Sequence, residues 1–406
     1  MKSRTLRRMW ATGLMLATAA SFGLVAAPAA HAEERPPFYE PPAELPAGNG
    51  EVIRTEPAEV YLDPNKALKV PADVHRVMYR STDGRGEPLA VTGTVLTPNT
   101  PWIGKGERPI VGYTFGTLGV GDQCAASRQM AEGTAIEAAL VQALLLRGYA
   151  VAVSDMEGGG TPGVHTYVNR EATGNAMLDV VRAAQRLPEA KLPDNGPVGL
   201  VGYSQGGGAS ASAAELAATY APELDIRGAS AGAPPATLDA LVENLDGSDK
   251  VGFLGYAVVG LAAGYDIDLD SYLNDAGKKF AKDAETLCNG EMQDAHQGVR
   301  SEDLTVDGRS LAQIMTEEPW AGVVAEQAIG ERPPGFPMLI NHSRFDEVIP
   351  FEVGQGLKAD WCAGGTTVKH KPNVAPNHVS GAVFGFPGVL TWLEGRFAGL
   401  PAPSSC

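Results

Sequence analysis

The segment 198–217 constrains the fold more than any other. An apolar run, Val198–Val201, leads into Gly202-Tyr203-Ser204-Gln205-Gly206, and a stretch of small residues, Gly207–Ala217, follows. Gly-x-Ser-x-Gly alone means little. Between a β-rich run and a small-residue helix it reads as a strand–turn–helix with the serine on a strained turn. Gly202 and Gly206 lack Cβ atoms, so neighbouring backbone can close on that turn. The serine Oγ is then pushed into the open at a helix N-terminus, where free N–H groups and the helix dipole favour developing negative charge. Ser204 is the candidate nucleophile, and the N–H of Gln205 a candidate oxyanion donor. The plainer reading, an N-cap serine after a glycine turn, is disfavoured by the flanking elements.

The remaining pattern supplies a frame for this turn. His75–Arg80 and Leu89–Leu96 alternate around Asp83-Gly84-Arg85-Gly86, the signal of a hairpin. Strand-like runs follow at Pro109–Thr114, Tyr149–Asp155, Pro197–Gly202, Ile226–Ala231, Pro337–Asn341 and Thr366–Lys371. Helical periodicity covers Thr134–Leu146, Ala172–Leu187 and Gly208–Tyr220. Strands separated by helices imply a mostly parallel sheet covered on both faces. Together with the serine turn this predicts an α/β-hydrolase fold. Between Pro234 and Pro337 the composition is helical, with no clear strand, which predicts an inserted cap. Within it Val251–Tyr265 carries no charge but is too short to span a bilayer. It reads as a buried cap helix, and a lid or acyl-binding wall facing the active site is compatible with that. The expected organisation is a signal peptide over 1–32, an extended arm over 33–70, a hydrolase core from 71–236 and 337–406, and a helical cap over 237–336.

A serine alcohol needs a general base, and the base needs an orienting carboxylate. In this fold their chain order is Ser, Asp or Glu, His. Past residue 32 there are six histidines: His75, His165, His296, His342, His370 and His378. Order removes His75 and His165, and His296 lies in the expected cap. His370 falls within a strand. His378 opens the last helical stretch after a Pro-rich loop and is the candidate base. Asp346, in the loop after the strand Pro337–Asn341, is the candidate acid, with Glu347 as its weaker neighbour and His342 expected beneath it. The resulting mechanism needs no metal and no organic cofactor.

The first 32 residues read as an export signal: Lys2, Arg4, Arg7 and Arg8, an uncharged apolar run from Met9 to Ala27, then Ala30-His31-Ala32 with cleavage expected after Ala32. A membrane anchor is the plainer alternative, and Arg7-Arg8 allows a twin-arginine signal. Losing these four cations takes the net charge from −16 to −20. Such a balance repels nucleic acid and anionic membranes, so no nucleic-acid partner and no stable membrane anchor is expected, only transient contact with lipid interfaces. Cys124, Cys288, Cys362 and Cys406 all lie in the exported part. An even number in an oxidising compartment predicts two disulfides, in any of three pairings. No Cys-x-x-Cys or His-x-x-x-His spacing suggests a metal site. Asp266-Ile267-Asp268-Leu269-Asp270 lacks the Gly and Glu of a calcium loop.

The chain resembles the secretory lipase family, which includes fungal lipase A-type enzymes and actinobacterial secreted lipases. The marks are Pro37-Phe38-Tyr39, Phe115-Gly116-Thr117 with Cys124-Ala125-Ala126-Ser127, the 155–163 segment DMEGGGTPG, the Ser204 turn, Gly232-Ala233-Pro234-Pro235, and 346–351, DEVIPF. The resemblance implies a capped hydrolase acting on acylglycerols or simpler esters. It implies a second oxyanion donor at Thr117, with Gly116 as runner-up. It also implies the pairings Cys124–Cys288 and Cys362–Cys406. Phe115, Ala126 and Gly159 depart from the family pattern at loops that shape the acyl pocket. Competing expectations are an acyltransferase or peptidase using the same triad, and a non-catalytic lipid-binding module, against which the ordered Ser, Asp and His argue.

Overall fold

The computed structural model describes residues 35–406. The expected signal peptide and its boundary at Ala32 lie outside the described residues. A nine-stranded sheet runs through the centre in the order β1-β2-β3-β5-β4-β6-β7-β8-β9. Its strands are β1 Val52–Pro57, β2 Ala72–Thr82, β3 Pro88–Pro98, β4 Ile110–Thr114, β5 Ala150–Ser154, β6 Val198–Tyr203, β7 Ile226–Gly232, β8 Met338–Ser343 and β9 Val368–Asn373. The pairs β1–β2, β2–β3 and β3–β5 are antiparallel, and the remaining pairs are parallel. β4, β5 and β6 are buried at every position, as central strands covered on both faces require.

Helices α1 Ala126–Glu132, α2 Ala138–Leu145, α3 Arg170–Arg186 and α4 Gln205–Tyr220 precede β7 or flank it. Six more fall between β7 and β8: α5 Asp239–Leu245, α6 Gly252–Gly264, α7 Asp275–Thr286, α8 Asn289–Ala295, α9 Leu311–Ile314 and α10 Trp320–Glu326. α11 Phe351–Ala363 and α12 His378–Phe397 close the chain. Two apolar clusters cover the sheet. One includes Met177, Val180 and Leu216 of α3 and α4 and runs on into the inserted helices. The other includes Val141, Leu144, Trp392 and Leu393 of α2 and α12.

The structure differs from the sequence reading in three places. Val52–Pro57, read as part of an extended arm, is an edge strand on β2. The stretch 126–132 is a helix ended by Gly133 at φ 71°. The helix expected from Thr134 begins only at Ala138, after a turn. Elsewhere the expected strands and helices are present to within a few residues. The uncharged stretch 251–265 forms α6. A Cβ on Gly260 would stand 2.9 Å from the Thr166 carbonyl carbon, so this helix lies directly on the 165–167 backbone.

Candidate active site

Ser204 stands between β6 and α4 with φ 59° and ψ −123°, a backbone conformation that L-residues avoid. The strain is held from several sides. Ser204 N donates to Gly232 O at 2.9 Å. A Cβ on Gly202 would meet Gly206 O at 1.9 Å, and one on Gly206 would meet Thr114 O at 2.0 Å. Both glycines are therefore required by close approach, as the motif predicts.

The loops after β8 and β9 bring Asp346 and His378 together. His378 Nδ1 lies 2.8 Å from each oxygen of Asp346. That contact orients the imidazole with Nδ1 towards the carboxylate and Nε2 away from it. Asp346 Oδ1 also accepts from Val348 N and Ile349 N at 3.0 and 2.9 Å. Burial pushes the Asp346 carboxyl up, but hydrogen bonds from His342 and His378 and the charge of His378 hold it well below the usual carboxylate range. His342 lies beneath, with Nε2 3.0 Å from Ile349 O and 3.4 Å from Asp346 Oδ2. Glu347 is not the imidazole partner; its carboxylate accepts the His378 N–H at 2.7 Å. His370 stacks on Phe351 at 5.4 Å, and burial lowers its pKa to about 4.

Tyr203 brings this pair to the serine. Its ring lies 5.1 Å from the His378 ring, and its hydroxyl donates to His378 O at 2.8 Å. Among the described residues no hydrogen bond joins Ser204 Oγ to the imidazole. Such contacts commonly tighten only around bound substrate.

The other wall is the loop after β4. Gly116 N, the runner-up oxyanion donor, is already given to half-buried Glu137 at 2.8 Å. Tyr113 OH donates to the same carboxylate at 2.6 Å, and burial raises its pKa. The N–H groups of Thr117 and Gln205 have no intramolecular acceptor among the described residues. Tyr167, itself at φ 51°, joins these two residues. Its hydroxyl lies 2.6 Å from Thr117 Oγ1, and its carbonyl accepts from Gln205 Nε2 at 3.2 Å. Gln205 Nε2 also meets His165 Nε2 at 2.7 Å. Burial drives His165 down to about 4, so it is neutral there and its Nδ1–H donates to Glu157 O.

Sequence reasoning missed Glu137, His165 and Tyr167. Chain order excludes His165 as the base but says nothing of a supporting role. Behind the loop, Asp155 accepts from Thr92 and Ser127, and Ser127 bonds Tyr39 OH at 2.8 Å. Three of the quoted family segments thus meet in one buried cluster. The disulfides are Cys124–Cys288 and Cys362–Cys406. The first fastens α8 beside the Thr117 loop, where Asn289 N also donates to Leu118 O at 2.9 Å.

A cleft of about 40 Å³ opens on Ser204 and is lined by Tyr167, Pro235, Leu241, Phe253 and Ile349 among others. An apolar cavity of about 40 Å³ shares Leu238 and Ala257 with it. A further one of about 60 Å³ shares Leu254, Val258, Leu311 and Trp320 with the second.

The family model described as "Secretory lipase" matches residues 125–405. A Mycobacterium tuberculosis protein named "Probable inactive lipase" is 30% identical over 382 residues, 90% of this chain and 82% of its own. Lipase A of Arthroderma benhamiae is 28% identical over 390 residues, 91% and 81% of the two chains. The closed-state crystal structure of Candida antarctica lipase A superposes with a TM-score of 0.79 at 25% identity, covering 91% of this chain and 87% of that one. The rice cell wall degrading esterase LipA from Xanthomonas oryzae shares the fold, with a TM-score of 0.69 at 20% identity over 87% and 97% of the chains. The match spans most of the chain and includes the strained serine turn, so this chain belongs to the secretory lipase family of carboxylic ester hydrolases, on an α/β-hydrolase fold.

Proposed function

We propose that the chain is an exported hydrolase of lipid esters with Ser204 as nucleophile, His378 as base and Asp346 as orienting acid. The observation that carries this reading is the bidentate approach of Asp346 to His378 Nδ1, next to a serine in the strained turn. Ser204 Oγ attacks the ester carbonyl carbon while His378 Nε2 takes its proton. The N–H groups of Gln205 and Thr117 receive the oxyanion. The intermediate collapses, the C–O bond to the alcohol breaks, and the imidazolium protonates the leaving alkoxide. Water, deprotonated by the same nitrogen, then releases the acid and restores the serine. The acyl chain follows the apolar cavities from Ser204 past Ala257 towards Trp320. Export rests on the leader-like N-terminus, and the two disulfides fit an oxidising compartment. No helix among the described residues is long and apolar enough to cross a membrane.

One relative bears the word inactive in its name, which favours a second reading, a lipid binder without turnover. A fluorophosphonate probe separates the two. Covalent labelling of the wild type but not of Ser204→Ala, together with hydrolysis of p-nitrophenyl esters, supports the enzyme. An unlabelled wild type with no ester turnover supports the binder.

A further inference from the structure

Five large apolar side chains cluster where β8 and β9 end and α12 begins. Phe345, Val374, Val379, Val383 and Phe384 are between 54 and 70% exposed. Hydrogen bonds hold their segments together. Arg344 N donates to Asn373 O at 3.0 Å, Ser343 Oγ to Ala375 O at 2.6 Å, and Asn373 Nδ2 to Gly381 O at 3.4 Å. The patch adjoins the candidate site. Phe345 precedes Asp346, and Val379 follows His378.

Its rim carries positive charge. Lys369 and Lys371 alternate with His370 along β9, which places them on one face of the sheet. That face is the one α12 covers, because Lys371 Nζ reaches Gly388. Arg344 precedes Phe345, but its guanidinium lies over the Phe351 ring of α11 at 5.2 Å and so does not belong to this rim. Neither lysine makes an ion pair among the described residues. Of the adjoining carboxylates, Asp346 faces the His378 imidazole, and exposed Glu347 accepts from the His378 backbone N–H. Unpaired lysines beside exposed apolar side chains stand out on a chain of net charge −16.

We propose that this surface docks the enzyme on an anionic lipid interface, with Val383 and Phe384 entering the acyl layer and the cations facing its charged groups. The proposal rests on the lipid-ester reading. Hydrolysis of an ester in a lipid aggregate leaves a carboxylic acid that ionises at neutral pH, so the reaction itself makes the interface anionic. The acidic remainder of the molecule does not prevent contact. Charges more than a Debye length away, about 8 Å at physiological salt, are largely screened, whereas exposed Lys371 lies beside the patch. Lysines on an edge strand also discourage strand addition, but that role does not need apolar side chains on the neighbouring helix.

The test is flotation of the mature chain with vesicles of phosphatidylcholine alone or mixed with phosphatidylglycerol. Two double variants, V383S/F384S and K369E/K371E, are compared with the wild type. Turnover of soluble p-nitrophenyl acetate serves as the check on folding. The wild type should partition onto the mixed vesicles at least tenfold better than onto phosphatidylcholine. Each double variant should lose at least tenfold on the mixed vesicles, at about fivefold per surface charge, with p-nitrophenyl acetate turnover unchanged. Equal binding of the wild type to both vesicle types, or variants that bind like the wild type, overturns the proposal. So does a sedimentation dimer that V383S/F384S abolishes, which assigns the patch to a second copy. Selective binding by a wild type that hydrolyses no ester supports the surface and removes the enzyme reading alone.

Discussion

Ser204 adopts a backbone shape that costs on the order of 1–3 kcal/mol, and the glycines around it exist to let other backbone press that shape into place. The imidazole 174 positions later depends in turn on Asp346. Asp346→Asn should lower kcat on p-nitrophenyl butyrate by about 10⁴-fold, because the amide favours the wrong tautomer, while the protein stays folded. Its carboxyl pKa is depressed in the native state. Its contribution to stability is therefore complete above the unfolded value near 3.9 and is lost as pH falls towards the native one. Thermal melts of wild type and Asp346→Asn should differ most above about pH 4 and converge below it. Glu157 behaves in the opposite way. Burial raises it to about 7, so the folded chain keeps a proton that the unfolded chain releases. Stability should fall as pH rises from about 4.5 to about 7. Melts of Glu157→Gln should lack that fall; an identical pH profile would show that Glu157 does not hold a proton in the folded chain. Tyr167→Phe removes only the hydroxyl bond to Thr117. It should reduce kcat by about tenfold, one ordinary hydrogen bond's worth, with KM for a short ester little changed.

Among the elements, the two disulfides offer a contrast. They close loops of 164 and 44 residues, so chain entropy alone gives them similar weights, about 5 and 4 kcal/mol. Their surroundings differ. Cys124–Cys288 fixes α8 against the loop that carries Thr117, whereas Cys362–Cys406 ties the tail to α11. Replacing either pair by alanine should lower the melting temperature. Only loss of Cys124–Cys288 should also lower kcat, and equal kinetics in both variants would contradict the role given to that loop. The elements themselves were largely legible, because Val198–Val201 and Tyr149–Asp155 are short apolar runs bounded by turn residues. β1 was not: Val52–Pro57 alternates weakly and ends in proline, and its pairing with β2 is a long-range fact. α1 hid in a short segment cut off by Gly133.

At the scale of the whole molecule, β4, β6, β8 and β9 all deliver their loops to one end of the sheet, and the candidate residues stand there in chain order. That order made Ser204, Asp346 and His378 readable from the sequence. Glu137, His165 and Tyr167 were not readable, since their meaning lies in partners 21, 40 and 50 positions away. The inserted helices enclose the cavities beyond Ala257. Ala257→Trp should close that route, cutting hydrolysis of a long-chain p-nitrophenyl ester by at least tenfold, roughly the effect of obstructing a packed apolar site, while sparing the acetate. The proposed chemistry depends on one side chain. The decisive measurement is turnover of a p-nitrophenyl ester by wild type and Ser204→Ala side by side. A loss of about 10⁴–10⁶-fold is predicted, and a variant that keeps half of the wild-type rate would contradict it.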